Sequence, residues 1–331
     1  MQKLIASVAG VGILASSVLA GENALAGGGD APPASPAATG GQPVGEAPAA
    51  TAAPAESKDS DVTFQLFTRP TFTFSADLDN NHGSVQVFRE DFRASLDLHP
   101  AEKLRIGVDL AGEVASYDFS DVRNLAGSNS SPFSDMYETT VVLRGMYSLD
   151  DTWSILALGF ATAGFESGAD FGDSIYGGGA VGVGYKVSDN LWFAVGGGGM
   201  TRLERSAIFL PLLQLKWKID DKLSLATDNL GVKLTDKLSD QWAIYLRGSY
   251  EFHIYRLDNG NTVLPGGVTS DQRVPIAFGV EWNACKGLTI SLEGGAVVYQ
   301  EYKFYSSNGA ERQDVQTNPA AFIGASLNYR F

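Results

Sequence analysis

From residue 61 onward the chain alternates apolar and polar residues at period two, in stretches of ten or more positions. In 104–114, Leu104, Ile106, Val108, Leu110 and Val114 share one face, while Arg105, Asp109 and Glu113 take the other. In 242–254, Trp242, Ile244, Leu246, Tyr250, Phe252 and Ile254 oppose Arg247, Glu251 and His253. The stretches 88–98 and 274–282 repeat the arrangement. Phe88, Phe92, Leu96 and Leu98 stand against Arg89, Asp91, Arg93 and Asp97, and Val274, Ile276, Phe278, Val280 and Trp282 against Arg273 and Glu281. Period two marks a strand with two different faces. Strands of soluble sandwiches usually run about five or six residues. These approach the ~9–11 residues that a tilted strand needs to cross a bilayer. In lipid an open sheet edge leaves main-chain groups unpaired, so such strands must close into a barrel.

The pattern places strands at 62–76, 84–98, 103–117, 136–149, 152–166, 173–187, 190–202, 207–219, 241–257, 272–284, 288–304 and 319–331. The remaining stretch 222–239 lies between two tight turns of the same rim, so a hairpin there (223–227 with 230–236) brings the count to fourteen; twelve is the alternative. Tight links such as Asp150-Asp151, Asp220-Asp221 and Cys285-Lys286-Gly287 largely alternate with long polar ones at 77–83, 120–135, 167–172, 258–270 and 306–317. Short turns on one rim and long loops on the other suit an outer-membrane barrel. All five tryptophans fall near tight turns, and Trp153, Trp217, Trp242 and Trp282 are on the apolar parity, as expected at a membrane interface. Tyr117, Tyr137, Tyr176, Tyr255, Tyr299 and Tyr302 gather at the opposite strand ends and suggest a second girdle. Glycine-rich 152–166, 173–187 and 190–202 alternate poorly, which points to tight curvature or close strand approach.

The front of the chain differs. Lys3 precedes an uncharged run from Leu4 to Ala20, with small-x-small sites ending at Ala20 and Ala26. This reads as a secretory signal over 1–26, or 1–20 on the alternative cleavage. Residues 27–60 are rich in Ala, Pro and Gly and read as a disordered linker, which leaves the barrel at 61–331. Cys285 is the only cysteine, so no disulfide within the chain holds the fold. The net charge of −14 changes little, because much of the acid lies in loops.

The chain stops on Phe331, with Tyr329, Leu327, Ala325 and Ile323 alternating behind it. This segment resembles the closing strand of bacterial outer-membrane β-barrels. The resemblance implies an assembly signal at Leu327, Tyr329 and Phe331, read by the barrel-assembly machinery, and both termini in the periplasm. The segment "LKWKIDDKLSLATDNLGVKLTDKLSDQWAIYLRGSYEFHIYRL" is also similar to an uncharacterised family of such barrels, which carries no activity to transfer.

The expected fold is therefore an all-β antiparallel up-and-down transmembrane barrel in contact with outer-membrane lipid. Its inward parity collects Arg89, Asp91, Arg93, Asp97, Arg105, Asp109, Glu113, Glu138, Arg144, Arg247, Glu251, His253, Arg273, Glu281 and Glu293. These charges line a wet pore or transporter for small solutes; alternatively they neutralise one another in a closed structural or adhesive barrel that displays its loops. A third reading is a hydrolase built on Glu251 and His253, two positions apart on one face, but no serine stands in a nucleophile context beside them. No catalytic residue is assigned. One cysteine and three scattered histidines give no metal spacing, the glycine-rich run is followed by no helix that could hold a nucleotide, and no cofactor or nucleic-acid partner is expected.

Overall fold

The computed structural model describes residues 62–228 and 230–331; the expected signal and linker lie outside them. The strands are β1 (Val62–Asp77), β2 (Ser84–Ala101), β3 (Leu104–Ser120), β4 (Asp135–Ser148), β5 (Trp153–Glu166), β6 (Ile175–Ser188), β7 (Leu191–Arg202) and β8 (Arg205–Lys218). They continue with β9 (Leu223–Asp228), β10 (Gly231–Lys237), β11 (Trp242–Ser249), β12 (Glu251–Arg256), β13 (Val268–Cys285), β14 (Leu288–Tyr305), β15 (Glu311–Gln316) and β16 (Ala320–Arg330). Among the described residues, no helix is long and apolar enough to cross a membrane.

Neighbours in sequence pair antiparallel, and β16 returns to β1 through pairs such as Thr68 with Leu327, which closes the sheet. Two breaks reduce sixteen segments to fourteen wall strands. β11 and β12 are one strand interrupted at Tyr250, and β15 and β16 both run along β14. The count agrees with the fourteen expected. The loop expected at 306–317 is partly strand, since β15 pairs with the upper end of β14.

The alternation seen in the sequence becomes an outside and an inside. Phe92, Leu110, Leu143, Val181, Leu246 and Leu292 stand exposed around the exterior. So large an exposed apolar surface has no place in water and matches a hydrocarbon surround. Trp153, Trp217, Trp242 and Trp282 are exposed beside the tight turns, where Trp242 and Trp282 stack at 6.0 Å. Both described ends lie on that rim: the Phe331 N–H donates to the Phe64 carbonyl at 2.8 Å, and their rings sit 5.4 Å apart.

The wall is uneven. β9 and β10 have six and seven residues against fourteen in β8, so their hairpin stops partway up. β8 pairs with β9 only at Lys216–Lys218, whereas β7 supports it as far as Arg205. Above the hairpin β12 has no wall partner on that side among the described residues. It leans inward, and Arg256 pairs with Phe165 of β5 in a parallel bridge. Gly164 permits this crossing, since a β-carbon there would collide with the Ile254 carbonyl. Two expectations are overturned. Phe252 and Ile254, on the lipid-facing parity, pack instead under β6–β8, and Ile254 is only 3% exposed. The second aromatic girdle is likewise incomplete, because Tyr117, Tyr176, Tyr255 and Tyr302 are on the inward parity and are buried.

Candidate functional site

The main apolar core lies inside the barrel at the loop end. Val85 and Val87 of β2, Tyr117 and Phe119 of β3, and Tyr302 and Phe304 of β14 point inward, and Leu125, Phe133 and Leu264 fold in from the loops. Phe133 meets Tyr117 and Phe119 edge-on at 4.9 and 5.2 Å. Burying these rings away from water holds the loops in the barrel mouth; each fully buried large side chain contributes roughly 1.5–3 kcal/mol.

Directly beneath lies a buried polar layer centred on Arg89, which is 0% exposed. Its guanidinium donates to Glu113 at 2.6 Å, to the Tyr117 hydroxyl at 2.6 Å and to the Asp271 carboxylate. Tyr117 donates to Asp271 at 2.9 Å, Tyr255 to Glu113 at 2.7 Å and Gln300 to Asp271 at 3.0 Å. One cation therefore ties two carboxylates from β3 and β13 across the lumen, with tyrosine hydroxyls taking up remaining lone pairs. A buried charge is tolerable only with this degree of pairing.

Below this ceiling the lumen opens into a cavity of about 970 Å³ that reaches the tight-turn rim at Asp221, Lys222, Ser239, Asp240 and Asn283. Ion pairs ring its wall. Arg69 contacts Asp91 at 2.8 Å and Glu251 at 3.5 Å; Arg273 contacts Glu251 at 2.5 Å. Arg247 grips both oxygens of Glu293 at 2.9 and 2.7 Å, and Lys233 reaches Glu281 at 2.7 Å. Nine carboxylates (Asp91, Glu113, Glu138, Asp221, Asp228, Asp240, Glu251, Glu281, Glu293) and six basic groups (Arg69, Arg93, Lys222, Lys233, Lys237, Arg247) border the space, so its lining is acidic on balance.

Nine of the fifteen inward residues read from the sequence border this cavity: Asp91, Arg93, Glu113, Glu138, Arg247, Glu251, His253, Glu281 and Glu293. Arg89 belongs to the layer above, and Arg273 meets the cavity wall only through its pair with Glu251. Asp97, Asp109 and Arg144 form a separate cluster in the β2–β4 wall, with Arg144 at 2.8 Å from Asp97 and 3.0 Å from Asp109. Arg105 is half-buried beside it on β3. Arg69, Lys233 and Asp271 escaped the sequence reading. Arg69 shares its face with Phe67 and precedes Pro70, which blurs the alternation, and Asp271 follows Ser270 in what reads as a loop although β13 starts at Val268.

His253 lies between Glu113 and Glu138, at 3.5 and 3.4 Å, and stacks on Tyr255 with ring centroids 6.0 Å apart. Glu251 engages Arg273 and Arg69 instead, and neither ring nitrogen of His253 has a hydrogen-bonded hydroxyl to activate. His253 therefore forms no nucleophile–base contact with a side-chain hydroxyl among the described residues. Among the described residues no cluster of three or more His, Cys, Asp or Glu is placed to hold a metal ion.

At the tight-turn rim, Asp150 accepts the N–H groups of Trp153 and Thr152, both at 2.8 Å, and Asp220 accepts those of Leu223 at 2.8 Å and Lys222 at 2.7 Å. These bonds hold both carboxyls below the ordinary carboxylate range, Trp153 and Leu223 being the larger contributors.

A closed antiparallel sheet with an apolar exterior and an ion-paired interior defines a bilayer-spanning β-barrel of the outer-membrane type. Residues 76–330 match the family model described as "Domain of unknown function (DUF6268)", and the chain belongs to that family. No curated protein matches the chain. Similar solved structures include the COG4313 outer membrane channel from Pseudomonas putida F1, at 9% identity over 82% of this chain and 95% of that one, with a TM-score of 0.44. The Pseudomonas putida toluene transporter TodX is 11% identical over 82% and 90%, with a TM-score of 0.42. A Pseudomonas aeruginosa FadL homologue is 12% identical over 82% and 90%, with a TM-score of 0.41.

Proposed function

We propose that this barrel moves small solutes across the outer membrane. They are taken into the ion-paired cavity, while the Arg89 layer and the aromatic core above it keep the loop end shut between passages. In this reading the tight-turn rim and both termini face the periplasm, and the C-terminal strand is read by the assembly machinery. The observation that carries the proposal is the cavity itself: about 970 Å³ of space with charged groups on its wall, continuous from the tight-turn rim to the Arg89 layer. A barrel serving only as a scaffold has no need of such a space. Because each charge on the wall is largely answered by its neighbour, size and dipole decide entry.

Planar-bilayer recording tests the proposal. Wild type should show brief stepwise openings, and Phe133→Ala, which thins the core without stranding a buried charge, should lengthen them. Heat-modifiable gel mobility verifies that both proteins are folded. Flat traces from both folded proteins would overturn the proposal in favour of a closed barrel that presents its loops.

A further inference from the structure

The ceiling closes the loop end between passages, and a solute that comes from the lipid layer needs a mouth of its own. The uneven wall supplies one. Between Arg205 and Gln214, β8 has main-chain partners on β7 alone among the described residues, and β12 stands opposite without a rung to it. Pro211 removes a donor from that free edge. The seam is filled by side chains: Leu210 packs in one cluster with Met200, Ile254 and Phe252, and Leu212 with Leu158 and Leu230. Its two ends are fixed. At the loop end Arg256 meets Glu204 at 2.6 Å and Arg205 reaches the Tyr305 hydroxyl at 2.6 Å; at the other, β8 pairs with β9.

Both sides of the seam are wetted by the right media. Outside, Phe209 and Leu213 on β8 are 77% and 64% exposed, and Val232 and Leu246 on the other flank are 49% and 51%, which sets the seam in the lipid-facing belt. Inside, the cavity borders Phe160, Tyr176, Met200, Leu230 and Phe252, and Phe252 projects from the opposite face of β12 to His253. Parting the seam breaks no main-chain hydrogen bond. The side chains it uncovers meet acyl chains rather than water, so the hydrophobic cost that would forbid such an opening in a soluble protein is absent. The polar end of a guest has a counterpart as well. Arg93 borders the cavity, forms no ion pair among the described residues, and buries an Nε with no hydrogen-bond partner among them, whereas Arg69 and Arg247 are both paired.

We infer that the seam between β8 and β12 is a lateral portal, through which a small amphiphile with an apolar body and an anionic end passes between the cavity and the lipid layer. This rests on the cavity being a solute passage, and the test separates the two claims. In a Cys285→Ser background, bimane is attached at Leu230→Cys on the seam or at Thr235→Cys on the cavity wall, and the barrel is placed in phosphatidylcholine vesicles. Iodide quenches from water and doxyl-stearoyl lipid from the bilayer. The expected result is quenching of the Leu230 label by both agents and of the Thr235 label by iodide alone. Any other pattern at Leu230, with Thr235 still reached by iodide, overturns the portal and spares the passage; a Thr235 label silent to iodide overturns the passage too. For the guest, 11-(dansylamino)undecanoic acid should bind saturably, and Arg93→Gln should weaken it about tenfold while leaving uncharged dansyl amide unaffected. Equal affinity of wild type and Arg93→Gln for the acid would overturn the anionic assignment.

Discussion

The two ends of this lumen are built from the same kinds of group and behave differently. At the tight-turn end, Lys233 and Glu281 form an ion pair whose side chains keep 17% and 21% of their exposure, beside open space. At the loop end, Arg89 and Glu113 form an equally short pair with 0% and 5% exposure, under a roof of tyrosine and phenylalanine. Ion pairing therefore does not itself close a barrel. What closes it is the inward turn of aromatic residues at the upper ends of β3, β12 and β14, which displaces water and makes each remaining charge depend on its partner. Where the inward residues stay small or polar, as Ser224, Ala226 and Ser291 do, the same pairs merely decorate a wet wall.

That contrast breaks most visibly at Arg89. Arg89→Ala leaves Glu113 and Asp271 buried without their cation and should cost about 3–5 kcal/mol of stability, read by denaturant unfolding in detergent micelles. Replacing all three by apolar residues of similar size should cost much less, since no lone charge remains; an equal loss would show that the layer acts through shape rather than charge. Next in size is Gly164→Val, which places a side chain against the Ile254 carbonyl and should cost about 1–3 kcal/mol while freeing β12 from β5. Hydrogen exchange at 251–256 should rise in that variant and stay level elsewhere. Lys233→Ala, at the wet end, should change stability by less than about 1 kcal/mol while altering ion preference in the bilayer. A loss as large as that of Arg89→Ala would erase the distinction between the two ends.

The smallest effect lies at the rim turns. Main-chain N–H groups hold Asp150 and Asp220 below their usual carboxylate range, so the stabilisation they give is complete above the unfolded carboxylate pKa. It fades as pH falls through the lowered folded values. Asp150→Asn, which keeps an acceptor but cannot be protonated there, should flatten that acid-side decline slightly, as followed by unfolding between neutral and strongly acidic pH.

Much of the wall was legible from the chain, because period two is imposed on every strand by lipid on one side and water or protein on the other. Strand limits fell within a few residues of those observed, and the tight-turn parity argument located the 223–237 hairpin. The ceiling was harder to foresee. Tyr117 and Tyr255 sit on the same parity as Glu113 and His253, which was itself the available signal, yet aromatic residues near strand ends also suit a membrane interface. The lean of β12 left a fainter trace. Phe252 and Ile254 keep the outward parity of Leu246, and only the shortness of the neighbouring hairpin tells that nothing outside supports them. Long-range partners such as Asp271 for Arg89 are invisible to local pattern, since 182 positions separate them.

The central claim is that water fills this lumen from the tight-turn rim and stops at the Arg89 layer. β3 carries a small residue on each side of that boundary: Ala111 borders the cavity, and Ala115, four residues further on along the same face, is 0% exposed within the core. Cysteine at each position, in a Cys285→Ser background, should be treated with a membrane-impermeant charged maleimide on the folded barrel. Rapid labelling at Ala111→Cys with protection at Ala115→Cys is the expected result. Equal labelling at both, or protection at both, would contradict the account.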